Sequence, residues 1–547
     1  MSAPLAVQTG SGSGWALSSA DGPTKEEVIT ARAGSGLIGT KTLRLDATAA
    51  SVHTIIAKPG RDISIDRHSH LTYAIFPIAD PLSLTDEATY TSLDVLFTDG
   101  TRASTLGARD LSGAELTAQG QGAGRALYPN QWTLVDVPLG EVAAGRTVAA
   151  IELTSRAPKG KARRVYLDAV SITDTPDPSS LTPADLVDTR RGTNANGHYS
   201  RGNNFPAVAV PHGFNFWTPV TRGNSNWLYQ YQEHNGPDNH PRLEALSLSH
   251  EPSPWMGDHD TFQIMPAPGP DVPSADRTTR AIGFTHDHET ALPYRYAVTL
   301  DNGIVAEMAP TDHAAILRFR YPAGTVQGQV VFDNITNQGS LKIAPDGRSA
   351  DGYTDVASQL STGASRMYVH LEFDRRAIAQ GRLSGQKRDN VQAWAAFDTK
   401  TDPTVTIRIA TSLISLEQAR HNLALELPAS ATLETVADTA KRAWNSRLAR
   451  VQIPDAALDE QRTLFGNLYR MYLYPNNAAE NVGTASAPRL RHASPFGVRL
   501  HPDSPTQTGV PVVNGPLYVN NGFWDTYRTA WPAYALLTPE EDGQLID

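Results

Sequence analysis

The spacing of apolar residues changes once along this chain of 547 residues, near Leu433. Before that point, short runs such as residues 165–170 alternate apolar and polar side chains, which is the period of a strand with one buried face. After it, apolar residues recur at helical spacing. The chain therefore predicts β-rich domains followed by a helical region. The helical positions are Leu433, Val436, Ala437, Ala440, Trp444 and Leu448.

Composition and charge exclude several classes of protein. The net charge of −10 argues against a nucleic-acid partner and against binding to anionic membranes. No run of 18 apolar residues is present, so the sequence predicts no membrane span. Zero cysteines exclude disulfides, cysteine-ligated zinc and thiol catalysis. With 42 glycines, 38 prolines and 19% charged residues, the chain is typical of a loop-rich globular protein.

The pattern divides the chain into four domains. Residues 5–175 predict a jelly-roll β-sandwich, whose last strand is similar to that of galactose-binding-like carbohydrate-binding modules. A proline-rich linker follows, and residues 182–430 predict a second, larger β-sandwich with long loops. Residues 431–453 predict a linker helix, and residues 454–547 predict further helices. In the first sandwich Trp15 and Trp132 are open to two interpretations, a sugar platform or packing in the core.

Helix boundaries can be predicted after Leu433. Thr432 precedes the first helix as a candidate cap. A second helix carries Leu458 and Phe465 and stops at Pro475. A third is predicted from Asp525 to Leu537, because Pro539 follows it.

The segment of residues 520–532 concentrates aromatic, acidic and basic side chains where this third helix begins. One interpretation is core packing by Trp524, Tyr527 and Trp531. The other is a sugar subsite, in which aromatic faces stack on the ring while Asp525 and Arg528 bind its hydroxyls. The segment alone leaves both open.

Earlier loops carry further candidates. Residues 188–194 form a glycine-containing stretch, which predicts a structural turn, a close approach to a ligand or, least favoured, a phosphate loop. Residues 224–231 and 247–258 place aromatic residues beside polar ones, as a sugar subsite requires. Histidines at 234, 240, 250 and 259 with two aspartates suggest a metal cluster, but their spacing fits no standard zinc pattern and favours surface-loop histidines. The aspartates are Asp258 and Asp260.

From about Leu186 onward the chain resembles glycoside hydrolase family 92, the calcium-dependent inverting exo-α-mannosidases. Five segments carry the resemblance in the family's order, whereas the first 175 residues lie outside it. The five segments are residues 191–213, 302–311, 412–423, 468–476 and 524–528. The first contains the Phe205-Pro206 and Val210-Pro211-His212-Gly213 runs.

The resemblance implies a fold and site residues. The fold is a β-sandwich, linker helices and an (α/α)6 barrel, with the active site between sandwich and barrel. Trp227 matches the tryptophan near the +1 sugar, Asp525 with Arg528 matches a contact to the −1 mannose, and His250 matches a histidine facing the site. Trp524 and Thr193, in the matching motifs, complete the expected substrate-binding set. Residues 194–198 depart from the family pattern, which leaves a contact from His198 open.

The resemblance also implies the chemistry. Inverting hydrolysis uses a general acid and a general base about 6.5–9.5 Å apart, and Ca²⁺ binds the diol of the −1 mannose through oxygen ligands. In the family the catalytic carboxylates and most calcium ligands come from later barrel helices, so we expect them beyond residue 547, with the barrel only begun here. Glu480 is expected to be a solvated surface residue, and neither Glu540 nor Glu541 is assigned a role.

The sequence thus predicts an exo-acting α-mannosidase that binds carbohydrate, namely mannosides, N-glycans or mannan, and that is secreted or periplasmic because such substrates are external. Two alternatives remain open: a mannose-1-phosphate-6-mannose hydrolase of the same family, and a non-catalytic glycan-binding protein. The linkage preference, the ligand of the first module and the oligomeric state are not predicted.

Overall fold

The computed structural model divides into two compact units. Unit 1 comprises residues 1–181 with 232–240, and unit 2 comprises residues 182–231 with 241–547. The structure describes residues 3–24, 32–80, 82, 85–157, 161–196, 199–223, 225–251, 253–358, 366–383 and 391–546.

Unit 1 contains two antiparallel sheets in its described residues. The longest strand, Arg163–Asp174, lies at the centre of the larger sheet and pairs with strands on both sides. Its alternation of valine, leucine and isoleucine with polar residues places one face in the core. The larger sheet runs in the order Gly10–Gly12, Trp15–Asp21, Lys41–Ala47, Arg163–Asp174, Ser69–Pro77 and Thr133–Val137, with Ala3–Pro4 beside Arg163–Asp174; the smaller is Ser51–Ala57, Val148–Arg156 and Thr91–Phe97.

The tryptophans of unit 1 favour the packing interpretation. Trp132 is 4% exposed and contacts Phe76 edge to face, with 5.4 Å between ring centroids. Trp15 is partly buried against the core. A sugar platform needs an exposed ring face, so Trp132 does not form one.

Unit 2 begins as a two-sheet sandwich. Both sheets are antiparallel, and their inner faces form one large apolar core. The first sheet runs Phe216–Val220, Ala245–Ser249, Phe262–Pro268, Gln327–Asp333, Ala393–Asp398 and Ala379–Arg382; the second runs Arg242–Leu243, Ile282–Leu292, Arg295–Leu300, Val305–Pro310, Ala314–Arg320, Thr404–Ser412, Met367–Phe373, Ser349–Thr354 and Gly339–Ile343.

The helix predicted after Thr432 is confirmed. It spans Leu433–Leu448, and the Thr432 hydroxyl accepts a hydrogen bond from the Thr435 amide at 3.2 Å. All six apolar positions named from the sequence are buried. The next helix, Leu458–Met471, ends before Pro475 as predicted.

One helix was not predicted. Leu416–Glu426 lies within the segment assigned to the second sandwich, and the Ser415 hydroxyl caps it by accepting from the Gln418 amide. Gln418 and Asn422 are buried on its inner face and hydrogen-bond each other at 2.8 Å. These polar residues interrupt the apolar stripe by which a helix is recognised.

The third predicted helix is divided. The structure has three short helices, Phe523–Thr526, Ala530–Leu537 and Pro539–Ile546. Pro532 has no amide hydrogen to donate to the preceding turn, so it is accommodated only in the first turn of a new helix. The break before Ala530 therefore follows from Pro532, and the end at Leu537 agrees with the prediction.

Short strands join the helices of unit 2. They are Asn476–Asn477 with Tyr518–Val519, and Glu480–Asn481 with Leu490–Ala493 and Val512–Asn514; a separate hairpin pairs Asn194–Asn196 with Tyr199–Arg201.

The predicted order of β-rich domains and a helical C-terminal region is confirmed. The jelly-roll connectivity, the (α/α)6 barrel and the four-domain division stay predictions. Among the described helices, none is long and apolar enough to cross a bilayer.

Candidate functional site

The segment of residues 523–528, which contains Asp525, Arg528 and three aromatic residues, lies at the surface of unit 2. Trp524 is 85% exposed and Phe523 is 69% exposed. The rings of Phe523 and Tyr527 stack at 5.7 Å, and Arg528 Nε donates to the Tyr527 hydroxyl at 2.7 Å. Trp524 therefore does not pack in a core formed by the described residues, which leave its ring face uncovered.

Gly522 lets the Asp525 carboxylate lie against the backbone. The Asp525 amide donates to the Gly522 carbonyl at 2.9 Å, and a Cβ added to Gly522 would lie 2.5 Å from Asp525 Oδ2. The φ of Gly522 is −77°, which any residue adopts. A side chain here would therefore displace the carboxylate without straining the backbone.

If Asp525 contacts the −1 sugar, as the resemblance implies, Gly522→Ala is expected to move the Asp525 carboxylate and to lower kcat/KM for the sugar substrate about tenfold, because a displaced contact loses roughly one charged hydrogen bond. The melting temperature should change little. Steady-state kinetics would test this, with Gly543→Ala as the matched control, since a Cβ at Gly543 meets nothing within 4 Å. Unchanged kinetics in Gly522→Ala would contradict the positioning role.

Trp227 lies in a loop beside a second exposed tryptophan. Its ring contacts Trp255 edge to face at 6.2 Å, and its Nε1 donates to Asn203 Oδ1 at 3.2 Å. Trp255 is 66% exposed. The pair offers an aromatic surface on the loops of the sandwich. Its use as a sugar subsite stays a prediction.

His250 and Thr193 are buried. His250 Nδ1 lies 3.2 Å from the His259 carbonyl, and its Nε2 lies 3.0 Å from Asn215 Oδ1. Burial lowers the pKa of His250 to about 3, so the ring is neutral and donates through one nitrogen only. The Thr193 hydroxyl donates to the Arg190 carbonyl at 2.7 Å. Substrate contacts from these two residues stay predictions.

A buried charge network holds the turn that carries Thr193. Glu289, whose side chain is fully buried, accepts from the hydroxyls of Tyr229 and Tyr296, contacts His286 Nδ1 at 2.8 Å, and accepts from Arg190 Nη1 at 3.2 Å. Burial alone would raise the pKa of Glu289, but the hydrogen bond from His286 and the charges of His286 and Arg190 lower it to about 2. Residues 188–194 thus form the structural turn that the sequence indicated.

His198 lies outside the described residues. The turn nevertheless shows why glycines occur in this motif. A Cβ at Gly202, whose φ is +120°, would lie 2.5 Å from the Gly192 Cα. The two backbones therefore approach each other closely, which only glycine permits.

The loop after His250 contains a buried acid pair that the sequence did not reveal. Glu251 is 1% exposed, and burial with the nearby Asp258 charge raises its pKa to about 9. Burial likewise raises the pKa of Asp258 to about 7. Within the described part of the chain, Glu251 Oε2 and Asp258 Oδ2 have no hydrogen-bonding partner. The pair is therefore most stable when protonated.

Protonation of Glu251 makes stability depend on pH. Its pKa rises on folding, so the native state holds a proton that the unfolded state releases between about pH 4.5 and 9. Stability is therefore expected to fall as pH rises through this window, by up to about 1.4 kcal/mol per pH unit from this group. Urea unfolding at several pH values should show this slope in the wild type and a flatter one in Glu251→Gln.

The control for this prediction is Glu417→Gln, because the Glu417 side chain is 84% exposed. It should keep the slope of the wild type. A Glu251→Gln variant with that same slope would contradict the buried, protonated carboxyl.

Glu480 is not the surface glutamate that we expected. It is 0% exposed and accepts from the Leu413 amide at 2.8 Å and from Asn422 Nδ2 at 3.0 Å. Burial raises its pKa. The short strand that carries Glu480 is covered by the unpredicted helix Leu416–Glu426, so no sequence pattern marked its burial.

The histidines named as a possible metal cluster do not form one site. His234 and His240 belong to unit 1, whereas His250 and His259 belong to unit 2. His234 and His250 are buried, so the expectation of surface histidines is wrong for both. Across the ranges that the structure describes, no group of three or more acidic or histidine side chains could hold a metal.

The six predicted residues thus fall into three groups within unit 2. The first group, Trp524, Asp525 and Arg528, lies in one exposed segment. The second is Trp227, which contacts Trp255. The third is His250 and Thr193, whose side chains are buried. No hydrogen bond or ring contact among the described residues joins the first group to the second.

Two family models match the chain. The one described as the glycosyl hydrolase family 92 N-terminal domain matches residues 186–412. The one described as the glycosyl hydrolase family 92 catalytic domain matches residues 418–547. Together they cover more than half of the chain.

Similar proteins agree with these matches. A family GH92 inverting mannosidase from Bacteroides thetaiotaomicron is 30% identical with a TM-score of 0.59, over 68% of this chain and 48% of that chain. A GH92 α-mannosidase of the same species, in complex with mannoimidazole, shares the fold at 21% identity and a TM-score of 0.51, over 65% and 46%.

A curated relative is described as an uncharacterized secreted glycosidase of Arthroderma benhamiae. It is 23% identical over 328 residues, which are 53% of this chain and 41% of that protein. The chain spans about half the length of the relatives that it matches. The sandwich, the helices that follow it and the two matching models together show that this chain belongs to glycosyl hydrolase family 92.

Proposed function

We propose that the chain acts in an exo-α-mannosidase, which releases terminal α-linked mannose from N-glycans or mannans with inversion. The observation that carries the proposal is the 30% identity and common fold with an inverting mannosidase. The exposed Trp524 beside Asp525 supports it, because a sugar site requires an aromatic face next to a hydrogen-bonding group.

In this proposal the residues of the chain bind and orient the sugar. Trp524 stacks on one face of the terminal ring, while Asp525 accepts hydrogen bonds from its hydroxyls and Arg528 donates to a hydroxyl oxygen. Trp227 and Trp255 bind the neighbouring sugar, which sets the leaving group. His250 supports the sandwich loops in its neutral form. No residue is assigned as the catalytic acid or base.

Calcium dependence is part of the proposal, but the described residues do not fit a calcium site. Calcium takes six to eight oxygen ligands, and no described cluster could hold a metal. We therefore derive no step through the ion.

Secretion and the finer substrate are likewise proposals. The relative described as secreted supports an external location. Two alternatives are kept: a hydrolase of mannose-1-phosphate-6-mannose diesters in the same family, and a glycan-binding protein without hydrolysis. Free cationic side chains beside the leaving group would favour the phosphodiester hydrolase. Exposed aromatic rings in a protein that shows no hydrolysis would favour the glycan-binding protein.

The deciding experiment is mannose release from an α-1,2-mannobioside, measured with added calcium and with a chelator. Measured on a protein that holds the catalytic acid and base as well as this chain, calcium-dependent release with inversion, observed by NMR of the first anomer formed, is the expected result. Release of mannose only from a phosphodiester substrate would favour the mannose-1-phosphate-6-mannose hydrolase. Binding of the mannobioside without release would favour the glycan-binding protein.

A further inference from the structure

The exposed segment that carries Asp525 is reached through a short pair of strands in unit 2. Tyr518–Val519 pairs with Asn476–Asn477 in antiparallel register, with Val519 opposite Asn476. Asn520 follows at once, and its φ is +60°. This left-handed conformation is uncommon for residues that carry a side chain, and asparagine is one of the few that adopt it readily. Asn520 therefore sets the direction in which the chain leaves the strand.

A hydrogen bond of fixed polarity ties Asn520 to Asn476. Asn520 Nδ2 donates to Asn476 Oδ1 at 2.9 Å. Asn476 is 3% exposed, and its own Nδ2 donates to the Gly213 carbonyl at 2.9 Å and to the Leu473 carbonyl at 3.0 Å. These two acceptors orient the Asn476 amide, so its oxygen faces Asn520. Position 520 must therefore supply a donor to satisfy that oxygen.

The turn to which Asn520 is tied is itself held by several hydrogen bonds. The Asn477 amide donates to the His212 carbonyl at 2.9 Å, and the His212 amide donates to the Tyr472 carbonyl at 2.8 Å. His212 Nδ1 lies 2.9 Å from the Pro475 carbonyl oxygen. His212 and Asn476 are both buried. Asn476 is therefore a fixed anchor point.

Residues 521–528, in contrast, form a locally bonded turn. The Thr526 hydroxyl lies 3.0 Å from both Asn521 Oδ1 and the Gly522 carbonyl oxygen, and Trp531 Nε1 donates to Thr526 Oγ1 at 3.1 Å. In the part of the chain that the structure describes, the hydrogen bonds of residues 521–528 all stay within residues 521–531. On its N-terminal side, this turn is therefore joined to the buried anchor through Asn520.

We propose that Asn520 is a positioning residue for sugar binding. Its amide, held by Asn476, fixes how residues 521–528 leave the strand and thereby holds Asp525 and Trp524 in the orientation that binds the sugar. Asn520 itself makes no contact with the sugar in this proposal. The inference rests on the proposed function for the identity of the ligand, whereas the anchoring of the segment can be measured without any ligand.

Two substitutions separate the properties that position 520 requires. Asn520→Asp keeps the size and the tolerance of a positive φ, but it places an acceptor against the Asn476 oxygen. Asn520→Gly keeps the backbone conformation and removes the donor. Both should fold with little change in melting temperature, because Asn520 is only half-buried.

The test combines hydrogen–deuterium exchange of the whole chain with binding of an α-1,2-mannobioside, measured by ligand-observed NMR. Peptides that cover residues 521–528 should exchange about fivefold faster in both variants, because roughly one hydrogen bond that holds the segment is lost. The dissociation constant of the mannobioside should rise by a similar factor of about five.

Low pH supplies a rescue that a general loss of stability would not produce. Below about pH 4 the carboxyl introduced by Asn520→Asp gains a proton and can donate to the Asn476 oxygen again. The ratios of its exchange rate and its dissociation constant to those of the wild type at the same pH should therefore fall towards one. Asn520→Gly, which has no group to protonate, should keep its full ratios.

The matched control is Asn481→Asp. Asn481 is also half-buried in unit 2, and its Nδ2 donates to the Thr484 carbonyl at 3.2 Å, away from the exposed segment. It should exchange in residues 521–528 and bind the mannobioside as the wild type does.

Three results would overturn the proposal: unchanged exchange in both Asn520 variants, faster exchange with unchanged affinity, or the absence of rescue at low pH in Asn520→Asp. Failure of the proposed function looks different. In that case the wild type would not bind the mannobioside, while faster exchange and its rescue at low pH would still support Asn520 as the anchor of the segment.

Discussion

Glu289→Ala is expected to destabilise unit 2 by about 3–5 kcal/mol, because removing one partner leaves other buried charged and polar groups unpaired. Arg190 would lose one of its two acidic partners, the other being Asp188 at 2.7 Å. The hydroxyls of Tyr229 and Tyr296 would lose their acceptor in a core that water does not reach.

Urea unfolding followed by tryptophan fluorescence measures this effect, since most of the nine tryptophans belong to unit 2. The control is Glu417→Ala, because Glu417 also pairs with an arginine, Arg420, at 3.2 Å, but its side chain is 84% exposed. An exposed pair contributes about 0–1 kcal/mol. Equal losses in the two variants would show that the Glu289 network does not stabilise the fold.

The sign of the pH dependence gives a second check on the same residue. The pKa of Glu289 is lowered on folding, to about 2. Its contribution is therefore fully present above the unfolded value, about pH 4.5, and is lost as pH falls through about 2. The difference between the wild type and Glu289→Ala should shrink over that window, opposite in direction to the effect expected for Glu251.

The fold could be predicted where one physical signal dominates. In Leu433–Leu448 the apolar stripe and the Thr432 cap agree, so the start of the helix and its buried face were correct. Leu416–Glu426 was missed because its buried face carries Gln418 and Asn422, which hydrogen-bond Asn481 and Glu480 in a distant part of the chain. Tertiary hydrogen bonds of this kind leave no local pattern.

The candidate site, like the fold, has parts that could be predicted from the sequence and parts that could not. Exposure of Trp524 beside Asp525 agrees with the sugar-binding interpretation, which rested on residue types adjacent in sequence. Burial of Glu480 and the acid pair of Glu251 and Asp258 could not be predicted, because a pKa depends on which elements cover the side chain. The sequence named Asp258 in the candidate loop of residues 247–258 and in a histidine cluster that the fold distributes over two units, but not as a buried acid.

In the proposed mannosidase, Asp525→Ala is expected to lower kcat/KM for an α-mannoside about 10²–10⁴-fold, because a carboxylate that accepts two hydroxyl hydrogen bonds contributes roughly 1.5–3 kcal/mol through each. Asp525 is exposed and its carboxylate lies close to Gly522, so the variant should fold normally. Trp524→Ala should lower kcat/KM about fivefold, which corresponds to the loss of one stacking contact of about 1 kcal/mol.

Kinetics on the mannobioside, or its binding where release is slow, would measure both losses. Asp455→Asn is the control, because Asp455 is exposed but belongs to a loop outside the candidate site. Asp525→Asn separates charge from shape: it keeps one acceptor oxygen, so it should lose less than Asp525→Ala. If Asp525→Ala behaved like Asp455→Asn, the exposed segment would not be the sugar subsite, and the aromatic pair of Trp227 and Trp255 would become the stronger candidate.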